Sequence, residues 1–192
     1  MKTFQLNGEL RQQTGKKETK KLRVSDLIPC VVYGGEEVLH FSVSQPDVRG
    51  LIYSPDVFIV ELNVAGKIIK ATIKELQFAP VDDKLRHIDF YQVTDTKPVI
   101  IDIPVRLEGF AVGVQQGGKL QQVLRRLKVK GLIADLPAIL TIDVTNMDLG
   151  KTVKVGELTY DNIELLDTPS AVVAAVKLTR AARGQLAAKT GK

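Results

Sequence analysis

Short runs of alternating or β-branched residues, broken every few positions by glycine, proline or aspartate, commit this chain to a strand-rich fold. Residues 39–43, 57–64 and 67–76 carry such patterns. Asn63-Val64-Ala65-Gly66 lies between the last two and reads as the turn of a hairpin. Residues 29–33 form a short apolar run, and 86–93 make a further strand candidate. Two short helices fit between them. One spans 17–25 with its Lys and Arg outward. The other spans 45–52, where Ser44 stands at the cap, Asp47 follows three residues on as in a capping box, and Gly50 weakens the middle. Many short strands and few helices within residues 1–95 predict a small closed barrel.

Asp95-Thr96-Lys97-Pro98 reads as a boundary, because the pattern restarts beyond it. Over residues 99–107, Ile101, Ile103, Val105 and Leu107 share one face, with Asp102 and Arg106 on the other. Further strands are expected at 120–129, 139–144, 152–155 and 171–178, punctuated by Pro104, Pro137 and Pro169. The fold class expected is therefore mainly β with a few short helices: an N-terminal barrel over 1–95 and a second β-rich domain over 98–178. Residues 179–192 are rich in Ala, Gly, Lys and Arg, lack a large apolar face, and read as a basic, flexible tail.

Charge is placed unevenly along this frame. Residues 1–23 hold seven Lys or Arg against two acids, and 168–192 hold five against none. Residues 24–97 hold seven against eleven, and the whole chain carries +5. Lys and Arg this dense make a poor core and a good surface for a polyanion, since each can displace a counterion from a phosphate. Basic ends on a mildly acidic body point to nucleic acid, although a solvated tail without a partner fits the C-terminal charge equally well. No apolar run approaches the roughly 20 residues of a membrane helix, and the start lacks a signal-peptide pattern, so a cytoplasmic location is expected. The single cysteine, Cys30, sits in the apolar run 29–33 and reads as a small core residue.

Enzyme chemistry finds little support. Gly113-Val-Gln-Gln-Gly-Gly118-Lys119 matches the GxxxxGK part of a phosphate-binding loop, but Leu120 stands where a Ser or Thr should hold magnesium. Those glycines, like Gly150 before Lys151, read as turns. Only two histidines exist, His40 and His87, and a zinc site needs three or four ligands. Asp82 and Asp83 are adjacent in an expected loop and make no catalytic pair. Hence no catalytic residue, metal, cofactor or small-molecule substrate is expected. In a strand over 86–91, His87, Asp89 and Tyr91 face one way and Arg86, Ile88 and Phe90 the other. The first set offers a donor, an acceptor and a ring suited to RNA base edges and 2′-hydroxyls; a structural His–Asp hydrogen bond fits as well. Aromatics are only 5% and tryptophan is absent, which favours a folded or double-helical RNA over single strands that need stacking platforms. No recognition-helix pattern for a DNA major groove is present.

These residues resemble a known family. The first signature is Arg11, Gly15-Lys16, Lys20-Lys21-Leu22-Arg23, Ile28-Pro29 and Val32-Tyr33-Gly34. The second is Gln77, Pro80 and His87-Ile88-Asp89-Phe90. The third runs Ile103-Pro104-Val105, Glu108-Gly109, Gly113, Gly117-Gly118, Leu120, Leu136-Pro137 and Ile142-Asp143-Val144. In this order the motifs are similar to the bacterial large-subunit ribosomal protein twenty-five family, in its long two-domain form of the general stress protein Ctc type. The resemblance implies a six-stranded barrel that binds 5S rRNA at the widened groove of its loop E. It implies RNA-facing roles for Arg11, Lys16, Thr19, Lys20, Lys21, Arg23, Tyr33, Gln77 and His87. It also implies a second domain lying along the RNA or against neighbouring large-subunit rRNA and ribosomal proteins.

The chain departs from the family at three places. Lys20 and Lys21 replace two arginines and lose the bidentate fork, which suits phosphate contacts alone. Asp26 replaces a common glycine and Ala79 a common histidine. Competing readings are a free tRNA-binding barrel and a nucleotide-dependent stress enzyme using residues 113–119.

Overall fold

The computed structural model describes residues 1–180 and 182. They form two compact units: Met1–Ile101 with Leu132–Ala138, and the remainder from Asp102 onward.

The first unit contains β1 (Lys2–Leu10), α1 (Lys16–Val24), β2 (Leu27–Tyr33), β3 (Leu39–Ser44), α2 (Gln45–Ile52), β4 (Phe58–Val64), β5 (Lys67–Phe78) and β6 (Leu85–Gln92). The six strands close into a barrel in the order β1-β3-β2-β6-β5-β4, sealed by the parallel pair β1–β4. Closure leaves no unpaired edge. A barrel this small is filled by its own side chains: Leu6, Cys30, Phe41, Val60, Leu62, Ile88 and Phe90 are at most 2% exposed. Val48 and Leu51 of α2 join the same core. Cys30 is buried as expected, and that burial holds its thiol far above the ordinary pKa.

The expected hairpin is present. Val64 pairs with Lys67, and Ala65 and Gly66 both take positive φ (51° and 81°), the twist a two-residue turn between antiparallel strands requires. Helix α2 starts and ends where the sequence placed it, but the capping box does not form. Ser44 makes no side-chain cap bond. The Gln45 N–H donates to the Asp26 carbonyl (3.0 Å), and Pro46 has no N–H to cap. Asp26 itself sits at φ 55°, a left-handed turn residue between α1 and β2. This explains why glycine suits that position and why aspartate is tolerated there.

The second half of the chain contributes β7 (Val99–Glu108), α3 (Val112–Gln115), β8 (Lys119–Gln122), β9 (Arg126–Gly131), β10 (Leu140–Asp143), β11 (Thr152–Lys154), β12 (Glu164–Leu165) and β13 (Val172–Lys177). One sheet has the order β10-β7-β9-β12 and another β11-β13-β8. Ile101 and Ile103 of β7 are buried while Asp102 and Arg106 are exposed, as their alternation predicts. The single strand expected over 120–129 is two strands, β8 and β9, in different sheets. The chain breaks between them where the Val123 and Leu124 N–H groups turn onto the Val173 carbonyl. Of the glycines of 113–118, Gly113 lies inside α3, Gly117 at φ 87° makes the turn after it, and β8 follows Gly118. No helix opens after Lys119 to present its N-terminus to a phosphate.

At the end of β13 the Thr179 hydroxyl donates to the Gly117 carbonyl (2.6 Å) and accepts the Ala182 N–H (3.2 Å). Beyond residues 179, 180 and 182, the basic tail expected over 179–192 lies outside the described residues. No helix among the described residues is long and apolar enough to cross a membrane.

Candidate nucleic-acid interface

The central face of the site is built by β2, β6 and β5. Ile88 and Phe90 of β6 are fully buried, so His87, Asp89 and Tyr91 face outward. Across the antiparallel β5–β6 pair, Gln77 stands opposite His87 and Glu75 opposite Asp89. Across the parallel β2–β6 pair, Tyr33 stands beside Tyr91. Gln77, His87, Glu75, Asp89, Tyr33 and Tyr91 thus share one outer surface at strand-neighbour spacing.

Two register shifts create this surface. Ile73 pairs with Phe90 but Glu75 pairs with Asp89, which leaves Lys74 as an extra residue. Strict alternation from the inward Ala71 and Ile73 would turn Glu75 and Gln77 into the barrel. The bulge turns them out and Leu76 in. The second shift lies between Gln77 opposite His87 and Phe78 opposite Leu85, leaving Arg86 as the extra residue. This corrects the expected facing of Arg86. It does not share the inward face of Ile88 and Phe90; it is exposed, next to His87. A bulge places two consecutive side chains on one side of the sheet.

His87 and Asp89 meet through Nδ1 and Oδ1 at 2.6 Å, each side chain about a quarter exposed (25% and 23%). A carboxylate only accepts, so Nδ1 carries the proton of this contact, and Nε2 is left without a partner in it. The structural His–Asp bond is present, and it leaves one ring nitrogen for a ligand. Tyr33 packs edge-on against Tyr91 (centroids 5.8 Å, 78°). Partial burial, then Asp89, Glu75 and Tyr91, hold the Tyr33 phenol above its ordinary pKa, so it stays a hydroxyl donor at neutral pH.

The cations stand beside this face. Helix α1 packs on β2 and buries no residue of its own. Lys16, Lys20 and Arg23 follow at i, i+4 and i+7, so they share one helix face; all three line a single groove. Lys21 lies off that face and bonds Glu18 at 2.8 Å, which raises its pKa. Arg23 aims its fork at the bulge: Nε and Nη2 donate to the Arg86 carbonyl (3.3 and 3.1 Å). Burial, then the charges of Arg86 and Arg11, lower the Arg23 pKa. Arg11 and Thr19 meet each other. Arg11 Nη2 donates to the Thr19 hydroxyl (3.3 Å), which donates to the Gly15 carbonyl (2.7 Å). Arg11 Nε is buried without a partner.

All nine expected site residues therefore lie in the first unit. Gln77 and His87 stand opposite each other on the sheet face, and Tyr33 shares that face further along, beside Tyr91; Lys16, Lys20 and Arg23 share one face of the helix; Arg11 and Thr19 brace the loop before it. Sequence reading did not single out Glu75 or Arg86, because each reaches the surface through a bulge. Asp89 was placed beside His87 by simple alternation. Among the described residues no group of three or more His, Cys, Asp or Glu could hold a metal. The arrangement has no nucleophile and base in contact. It offers base-edge groups at the centre and phosphate-seeking cations alongside.

Two family models match this chain. Residues 6–90 match the Ribosomal L25p family, and residues 98–180 match the C-terminal domain of ribosomal protein TL5. The large ribosomal subunit protein bL25 of Phocaeicola vulgatus is 49% identical over 199 aligned residues, covering all of both chains. The chain belongs to the large ribosomal subunit protein bL25 family. The bL25 protein of Porphyromonas gingivalis is 55% identical over 186 residues, covering 96% of this chain and 97% of that one. That of Azobacteroides pseudotrichonymphae is 53% identical over 184 residues. These bL25 relatives are, by name, proteins of the large ribosomal subunit. The family model over 6–90 spans both the helix cations and the bulged sheet face.

Proposed function

We propose that this bL25-family chain binds 5S rRNA within the large ribosomal subunit, through the N-terminal barrel domain of residues 1–95. As a member of this family the chain is a structural, cytoplasmic constituent of the ribosome. The observation that carries the RNA reading is the outer face where Gln77 stands opposite His87, flanked by Lys16, Lys20 and Arg23 on one side of α1. Amide, imidazole and phenol groups at strand spacing suit base edges and 2′-hydroxyls in a wide, shallow groove. Cations at helical spacing suit phosphates. Arg11 and Thr19 act by fixing the loop that leads into α1, and Lys21 contributes charge. The domain over 98–178 packs against neighbouring rRNA and ribosomal proteins.

The test is affinity for 5S rRNA with His87→Ala and Gln77→Ala. Each should lose about 1–3 kcal/mol of binding, the worth of a base-edge contact, while the melting curve of the His87→Ala protein shifts little. A loss confined to stability, with affinity intact, would assign the His87–Asp89 bond to structure alone.

A further inference from the structure

Between α1 and the turn that joins β5 to β6 runs an open groove of about 390 Å³. Five cations line it: Lys16, Lys20 and Arg23 from the helix side, and Lys84 and Arg86 from the β6 side. Among the described residues none of the five is in an ion pair. Two acids, Asp26 and Asp82, also line the groove and leave it a net excess of positive charge. Its apolar lining includes Val24, whose side chain is 79% exposed, together with Leu27 and Leu85. Unpaired like charges repel across such a groove; burial first, then the charges of Arg86 and Arg11, lower the Arg23 pKa.

We infer that this groove holds one strand of an RNA phosphodiester backbone, with Lys84 and Arg86 as phosphate contacts that complete the row begun on α1. The inference rests on the RNA-binding reading of the same unit and names a part of the interface that reading leaves out. A phosphodiester chain alternates charge and sugar. The groove likewise combines cations with apolar side chains that can cover ribose carbons. The Arg86 bulge is essential to this geometry. It turns the guanidinium outward beside His87, and its carbonyl is fixed by the fork of Arg23, so the backbone that carries Arg86 is anchored to α1. The phosphate row and the base-reading face are therefore built on the same strand, β6, one residue apart.

The experiment uses the full chain carrying Lys84→Ala with Arg86→Ala, titrated with salt against a 5S rRNA transcript and against an unrelated RNA duplex. Two lost phosphate contacts should flatten the log–log salt slope by about 1.4–1.8 and weaken binding roughly 25–60-fold near 0.1 M salt, on both RNAs. The charge-conserving pair Lys84→Arg with Arg86→Lys should keep the slope, which separates charge from folding. The free alanine variant should melt no lower than the parent at low salt, since self-repulsion is relieved. An unchanged slope on both RNAs overturns the inference. If the parent shows no preference for 5S rRNA, the 5S reading fails, and the slope on the duplex still decides the groove.

Discussion

Gly34 follows Tyr33 at the end of β2, and its replacement by alanine tests the sheet face from the backbone upward. Gly34 has φ 97°, and a Cβ built there would lie 2.6, 2.9 and 3.0 Å from three carbons of the Tyr91 ring. The left-handed backbone costs a residue with a Cβ about 1–2 kcal/mol. Displacing a ring already packed edge-on against Tyr33 adds about 1–3 kcal/mol. Gly34→Ala should therefore destabilise the barrel by about 2–5 kcal/mol, a fall in Tm of roughly 8 °C or more for a domain of about 100 residues. Two controls divide the terms. Gly66 has φ 81° with nothing within 4 Å of a Cβ, so Gly66→Ala should cost only the backbone part, about 1–2 kcal/mol. At Gly35 a Cβ meets only the mobile amide end of Gln92, so Gly35→Ala should stay within about 0.5 kcal/mol. Thermal unfolding followed by circular dichroism, alongside 5S rRNA affinity, reads all three. The reasoning fails if Gly34→Ala costs no more than Gly66→Ala.

Three further outcomes follow from named contacts. Asp26→Gly should change stability by no more than about 1 kcal/mol, because glycine also takes φ 55° at ease, and should strengthen RNA binding by removing an acid from the cationic groove. Asp26→Val, forced into the same turn, should lose about 1–2 kcal/mol in urea unfolding. The Cys30 thiol, fully buried and held protonated by that burial, should resist alkylation in the native protein and react at once in denaturant. Lys20→Ala should lower the salt slope of RNA binding more than Lys21→Ala, since Lys20 lines the groove and Lys21 is engaged with Glu18; equal effects in a filter-binding titration would contradict that division.

Much of the fold is legible in the sequence because barrels impose alternation. The pattern Ile101, Ile103, Val105 marked β7, and the turn at Asn63–Gly66 marked a hairpin whose strands then paired as expected. β1 escaped notice. Only Phe4 and Leu6 supply apolar inward positions, and Gly8 follows where a Cβ would lie 2.5 Å from the Phe41 ring, so the strand lacks the run of large residues that announces one. The break inside 120–129 was missed although the inward positions change from Leu120 and Leu124 to Leu127 and Val129 across it, where the backbone changes partner. In the site, the density of cations over 11–23 was legible from the residues, while the choice among them came from the family resemblance. The facing of Glu75, Gln77 and Arg86 was not, because a bulge inserts one residue without any composition signal at Lys74 or Arg86. The positions where alternation fails are those that aim side chains at the outer face.

The most direct measurement is binding of the full chain to 5S rRNA over a range of salt, with tRNA as competitor. The account predicts tight binding that excess tRNA does not displace and that Gln77→Ala with His87→Ala weakens. Equal, weak and steeply salt-dependent binding to both RNAs would mean general polyanion affinity, and would contradict the assignment of 5S rRNA to this face of the barrel.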